Sequence, residues 1–279
     1  MNFNDIINQL SSTAPEELEK KEDRRNILKS FGVKLAVAAV PFAAGSLFTN
    51  KAYGQSKETI INVLNYLLKL EYISDKLYTE ALMVDQLAPV EFKTQFNQIA
   101  TNTKSHIGIL QTIITDLGGT VATIDYANID LNGNKGFGGG SFQKALTNTS
   151  DFLVLAQVLS DGGGRMYKGM ITEVFSDKTT VRALVNIHSV KARHAAFIRF
   201  MRVYWVGDDV KPWITGTNSD TTNTAAQRAY SGETPTTQSG IEIVGINGFN
   251  ITADAATQAF DEPLIMIDGN NILDRFLKP

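Results

Sequence analysis

The sequence contains no cysteine. Disulfides, thiolate metal sites, a cysteine nucleophile and a lipidated N-terminal cysteine are therefore excluded. Histidine is scarce as well, with three in 279 residues: His106, His188 and His194. There is no His-Glu-x-x-His zinc helix, and no Gly-x-Ser-x-Gly elbow supplies an activated serine for a triad. Neither sign of charge is in excess. A formal charge of −3 provides no broad basic surface, which argues against nucleic acid as a partner. What is present is 43% apolar and 20% charged residues, an ordinary globular composition with ample material for a core.

Residues 1–54 form a segment apart. Arg24-Arg25 precede Ile27, Leu28 and Lys29, and an uncharged stretch follows over 35–50. Ala52-Tyr53-Gly54 then places small residues at −3 and −1 of a cut before Gln55. The order resembles a twin-arginine export signal, with the protein periplasmic or otherwise exported. At about 16 residues, and rich in Ala, Gly and Pro, the apolar stretch is too short for a membrane span. The chain after signal removal is thus expected not to be integral to a membrane, with a net charge of about −4.

Beyond residue 55 the pattern is helical. Ile60, Val63, Leu64, Leu67, Leu70, Ile73 and Leu77 recur at spacings of three and four, which predicts a first helix over about 56–87. Pro89 separates it from a second, about 89–117, which Gly118-Gly119 ends. A third runs from Ser141 or Ser150 to about 175, with Ser150-Asp151 as its start signal, and a fourth from the cap Asp177 to about 204. Helices of this length suit a bundle, and the long connection over 118–140 suits a crossover between helices two and three. The expected fold is therefore all-α, a four-helix bundle over 55–206. An irregular extension over 207–279 is expected to pack on it. Residues 211–240 read as an irregular surface segment rich in Thr, Ser, Asn and Gly. Asn247-Gly248 suggests a hairpin between 241–244 and 249–251, and one short helix is expected within 255–266.

Several motifs fail on inspection. The glycine-rich run 133–140 lacks Gly-Lys-Ser/Thr and does not follow a strand, so it is a loop and not a phosphate cradle. Asp130-x-Asn132-x-Asn134 opens like a calcium loop, but Lys135 and Ser141 stand where Gly and Glu are required. Gly162-Gly163-Gly164 inside the third helix costs roughly 1 kcal/mol per glycine against Ala, which predicts a local kink or a close helix approach.

Certain residues carry a resemblance. Leu70-Glu71-Tyr72 with Leu77-Tyr78 and Ala81-Leu82 resembles the first helix of exported bacterial ferritin-like proteins, a group that includes the twin-arginine-signal ferritin-like and desiccation-related proteins. Ser105-His106 and Leu110 are similar to the second helix; Ala156, Gly163 and Tyr167 to the third. Val190, Ala192-Arg193-His194-Ala195-Ala196 and Arg199 are similar to the fourth, and Ala259 to Leu264 to a closing element. The resemblance spans about 56–265.

It implies a two-iron site with one Glu on each of helices one and three and a Glu-x-x-His on each of helices two and four. Glu71, His106 and His194 stand at matching positions. Thr103, Ser160 and Lys191 stand where three further carboxylates belong, with Asp161 next to Ser160. Glu71 with two neutral imidazoles offers a single negative charge, and Lys191 cancels it. The expectation is a vestigial, unoccupied metal site with Glu71 and Lys191 as a buried ion pair and His106 and His194 beside it. No catalytic residue and no cofactor are assigned. Three functional readings follow: a structural or partner-binding envelope protein, stress-related by resemblance; an enzyme or iron-handling protein using a reduced set of Glu71, His106, His194 and Asp161; and a binding module presenting 211–240. A homo-oligomer or an envelope partner fits any of them.

Overall fold

The computed structural model describes residues 55–279. The expected export signal falls on 1–54 and lies outside the described residues. Four long helices form the body: α1 (Lys57–Ala81), α2 (Lys93–Asp116), α3 (Thr149–Ile171) and α4 (Lys178–Met201). Local chemistry sets their starts. The Ser56 hydroxyl accepts from Thr59 N at 3.1 Å, and Asp177 accepts from Thr180 N at 2.6 Å. α3 is capped by Asn148, which accepts from Asp151 N, and not by the Ser150-Asp151 pair the sequence suggests.

α1 ends at Ala81, six residues before the apolar pattern does. Leu87 and Ala88 are still buried, but on a turn, so burial outlasts the helix there. α4 continues as a π-helix, Arg202–Val206, and stops at Gly207, whose φ of 79° suits a residue without Cβ.

α3 packs most extensively on α4, α1 on α2, and α1 crosses to α3, giving the all-α bundle with its crossover between α2 and α3. α3 runs unbroken through its three glycines, so the predicted kink is absent. Close approach explains the run at Gly163, where a Cβ would stand 3.1 Å from Leu70 Cδ2 and 3.7 Å from Lys191 Cδ.

The crossover is fastened to the C-terminus. Asp130 N donates to Phe276 O, Lys135 N to Arg275 O, and Phe142 stacks near Phe276 with centroids 5.7 Å apart. The Asp130 carboxylate accepts from the backbone N–H of Asn132, Asn134 and Gly136. It therefore faces donors, consistent with the rejected calcium reading.

The sequence misleads most after residue 210. Residues 211–240 are irregular and mostly exposed, as expected, but Ile214, Ala225, Ala226, Ala229 and Tyr230 are buried, so the segment also contributes to the core. Its turns and one short 3-10 helix, Ala226–Tyr230, leave no helical period to read. The only paired strands among the described residues are β1 (Thr237–Gln238) and β2 (Ile241–Glu242), joined by Ser239 and Gly240 at positive φ. The expected hairpin at Asn247-Gly248 is instead a 3-10 turn, Ile246–Gly248. Two helices, α5 (Ala253–Ala259) and α6 (Met266–Leu273), flank Pro263 where one was expected. No helix of the described residues is long and apolar enough to cross a membrane.

Candidate functional site

The polar centre of the bundle draws one or two residues from each long helix. On α1, the run from Ile60 to Leu77 buries a continuous apolar stripe, and Glu71 lies in it with no exposure. A bare carboxylate there would be severely penalised. It is met from three sides. Lys191 Nζ on α4 is 2.9 Å from Glu71 Oε2, and Tyr167 on α3 donates its hydroxyl to Oε1 at 2.9 Å. His106 Nδ1 on α2 lies 3.4 Å from Oε2. Burial alone would raise the Glu71 acid, but Lys191 and then His106 outweigh it and hold it at about 2. The Tyr167 hydroxyl, buried against that carboxylate, is pushed well above the usual phenol range and stays a donor.

His194 lies one turn beyond Lys191 on the same face of α4. Its ring is 6.3 Å from that of His106, at 29°. Burial, then the Lys191 charge and His106, push its pKa down to about 3, so the ring is neutral at ordinary pH. His194 Nε2 faces Asn102 Nδ2 at 3.1 Å. An amide nitrogen only donates, so Nε2 is the acceptor and Nδ1 carries the proton.

The remaining positions singled out by sequence have other partners. The Thr103 hydroxyl turns back to Ile99 O at 2.9 Å. Ser160 Oγ is 3.4 Å from Tyr78 Oη. Asp161 does not join Glu71: Arg199 Nη2 binds it at 2.7 Å and Tyr230 donates to it at 2.6 Å. His188 is also apart, with Nδ1 2.9 Å from Gly164 O. Among the described residues, no three His, Asp or Glu side chains converge as a ligand set for a metal. Glu71, Lys191, Tyr167, His106, His194 and Asn102 form one cluster, in which Glu71 Oε2 is met by the Lys191 charge and His106 Nδ1 makes no hydrogen bond. Its one anion and one cation cancel.

A second buried polar network escaped sequence reading. Arg199 spans Asp161 and Asp220, the latter at 2.9 Å. Arg202 reaches Gln157 and Asp208. Gln157 in turn donates to Tyr230 Oη at 2.7 Å. A third junction pairs Arg165 Nε with Glu233 at 2.5 Å. The signal for these was available: Gln157, Asp161 and Arg165 recur every four residues along α3, the most apolar of the four long helices, and Arg199 and Arg202 sit three apart where α4 passes into the π-helix.

A family model described as "Ferritin-like domain" matches residues 59–203, just over half of the chain. Comparison with curated proteins and with solved structures gave no match.

Proposed function

Because the chain belongs to the ferritin-like domain family, we propose that it is a non-catalytic, exported member of it, structural or partner-binding, whose core carries a fixed ion pair in place of metal. The contact between Glu71 Oε2 and Lys191 Nζ at 2.9 Å carries this reading.

The two-iron centre implied by resemblance does not fit the residues present. Both oxygens of Glu71 have partners, Lys191 and Tyr167. His194 Nε2 already accepts from Asn102. Thr103 and Ser160 supply hydroxyls where carboxylates would be needed. The ammonium of Lys191 would also face any bound cation across a few ångströms of low-dielectric interior, where like charges repel strongly. Asp161 does not enlarge a reduced ligand set, since Arg199 and Tyr230 hold it elsewhere. No chemical step is therefore assigned to this core. Its residues hold helices together: α1 to α4 through the ion pair, α1 to α3 through Tyr167, and α2 to α4 through Asn102 and His194.

Export rests on the order of paired arginines, apolar stretch and small-residue cut over 1–54. The desiccation-related or stress-related role rests on resemblance alone. Metal quantification on protein exported through its own signal tests the central claim, because refolding could lose a native metal. Far less than one iron per chain is expected. About two irons per chain, the loading of the intact ligand set, would overturn it.

A further inference from the structure

Away from Glu71, a partly open cavity of about 170 Å³ lies between α3, α4 and the chain beyond α4. Its wall includes Asp161, His188, Ala195, Trp213, Ile214 and Asp261. Asp161 is engaged by Arg199 and Tyr230. Asp261 is different. Its backbone carbonyl accepts from Lys168, but its carboxylate has no hydrogen-bond or ion-pair partner among the described residues. His188 Nδ1 faces the Gly164 carbonyl at 2.9 Å. A carbonyl accepts only, so Nδ1 carries the proton and Nε2 of the neutral ring is left as an acceptor. Trp213 contributes a half-exposed indole, 48% accessible. No Lys or Arg is among the lining residues.

The lining thus includes a carboxylate with no hydrogen-bond or ion-pair partner, a histidine with a spare acceptor and an aromatic residue, while the nearest cations, Lys168, Arg165 and Arg199, are held by other partners and lie outside it. This is complementary to positive charge carried on an apolar shell. A metal ion is a poor match, because no three His, Asp or Glu converge there or elsewhere among the described residues. The volume corresponds to about five or six waters at roughly 30 Å³ each, and the pocket is partly open, so the occupant is a small molecule of about five to seven heavy atoms.

We propose that this pocket binds a small organic cation, a methylated or primary ammonium, with Asp261 as counter-ion and Trp213 as aromatic wall. The site is independent of the metal-free reading of the core. It gives the C-terminal extension a role in binding as well as in packing. Burial, then Asp161, raise the Asp261 acid above the usual carboxylate range, against Lys168, Arg165 and Arg199. Affinity should fall in acid as Asp261 protonates.

The test is calorimetric titration of the full chain with tetramethylammonium chloride and choline chloride, with sodium chloride as reference. Saturable binding is expected for both. 3,3-Dimethylbutan-1-ol, the neutral isostere of choline, is expected to bind at least about tenfold more weakly, a comparison that requires no variant. Asp261→Asn, whose side chain gives up no hydrogen bond, should weaken binding by about tenfold, and Trp213→Leu by about fivefold. Absence of saturable binding, equal affinity for the neutral isostere, or parental affinity in either variant would overturn the proposal.

Discussion

Lys191 is only 2% exposed, and an ammonium so placed is tolerated because a carboxylate stands 2.9 Å away. Removing either partner leaves the other as an uncompensated buried charge. Lys191→Met and Glu71→Gln are each expected to cost about 3–5 kcal/mol in urea denaturation. The double replacement should lose much less than the sum of the two. Single losses below about 1 kcal/mol would mean that the pair is not desolvated as described. The cluster also sets an acid limit. Glu71 is held at about 2 in the fold against 4.5 unperturbed, so its contribution is complete above pH 4.5 and fades as pH falls toward 2. His194 is held at about 3 against 6.5, so the unfolded chain binds the extra proton and stability falls from pH 6.5 downward. Relative to the parent, His194→Gln should show a shallower loss of stability between pH 6.5 and 3. Identical pH profiles would contradict a buried neutral imidazole. The ion pair was legible because Lys191 and His194 share a helix face and Glu71 interrupts an apolar stripe. The surroundings of Asp161 were not legible: Tyr230, which donates to it, and Asp220, which shares its Arg199, lie in aperiodic sequence that no spacing rule reaches.

The long helices were readable from their period, and their ends less so. The apolar pattern overshoots α1 because Leu87 and Ala88 are buried on a turn. The glycines of α3 illustrate how little composition says about local geometry. Gly164 has no atom within 4 Å of an added Cβ, so Gly164→Ala should stabilise by about 0.5–1 kcal/mol through helix propensity. Gly169 is the opposite case. A Cβ there would stand 2.1 Å from the carbonyl oxygen of Leu264, so Gly169→Ala must displace that segment and should lower the melting temperature. If both substitutions shift thermal unfolding in the same direction, the α3 packing described here is wrong.

Across the whole molecule, the bundle is completed by the chain that follows it. Arg165 meets Glu233, and Arg199 and Asp161 meet Asp220 and Tyr230, all supplied from beyond residue 207. Truncation after Gly207 should strand Arg165 and part of the Arg199 network and expose the α3 face. Loss of a cooperative transition in circular dichroism is expected, and a fully cooperative fragment would show the extension to be an ornament. Export is tested separately: Arg24→Lys with Arg25→Lys should leave the protein in the cytoplasm, as judged by cell fractionation. Hydrophobic period cannot reveal such an extension, since it buries its apolar residues through turns and short helices.

An ammonium covalently attached to α4 has a further consequence, in mass action. A metal centre adds a ligand-dependent term to folding free energy that grows with free metal and vanishes under chelation. The Lys191 charge is part of the chain, present at fixed stoichiometry, and has no oxidation state to change. On the proposed metal-free reading, the folding equilibrium therefore contains no metal concentration. A bundle stabilised in this way should melt at the same temperature with or without EDTA, and hold its shape equally in metal-starved and metal-rich surroundings.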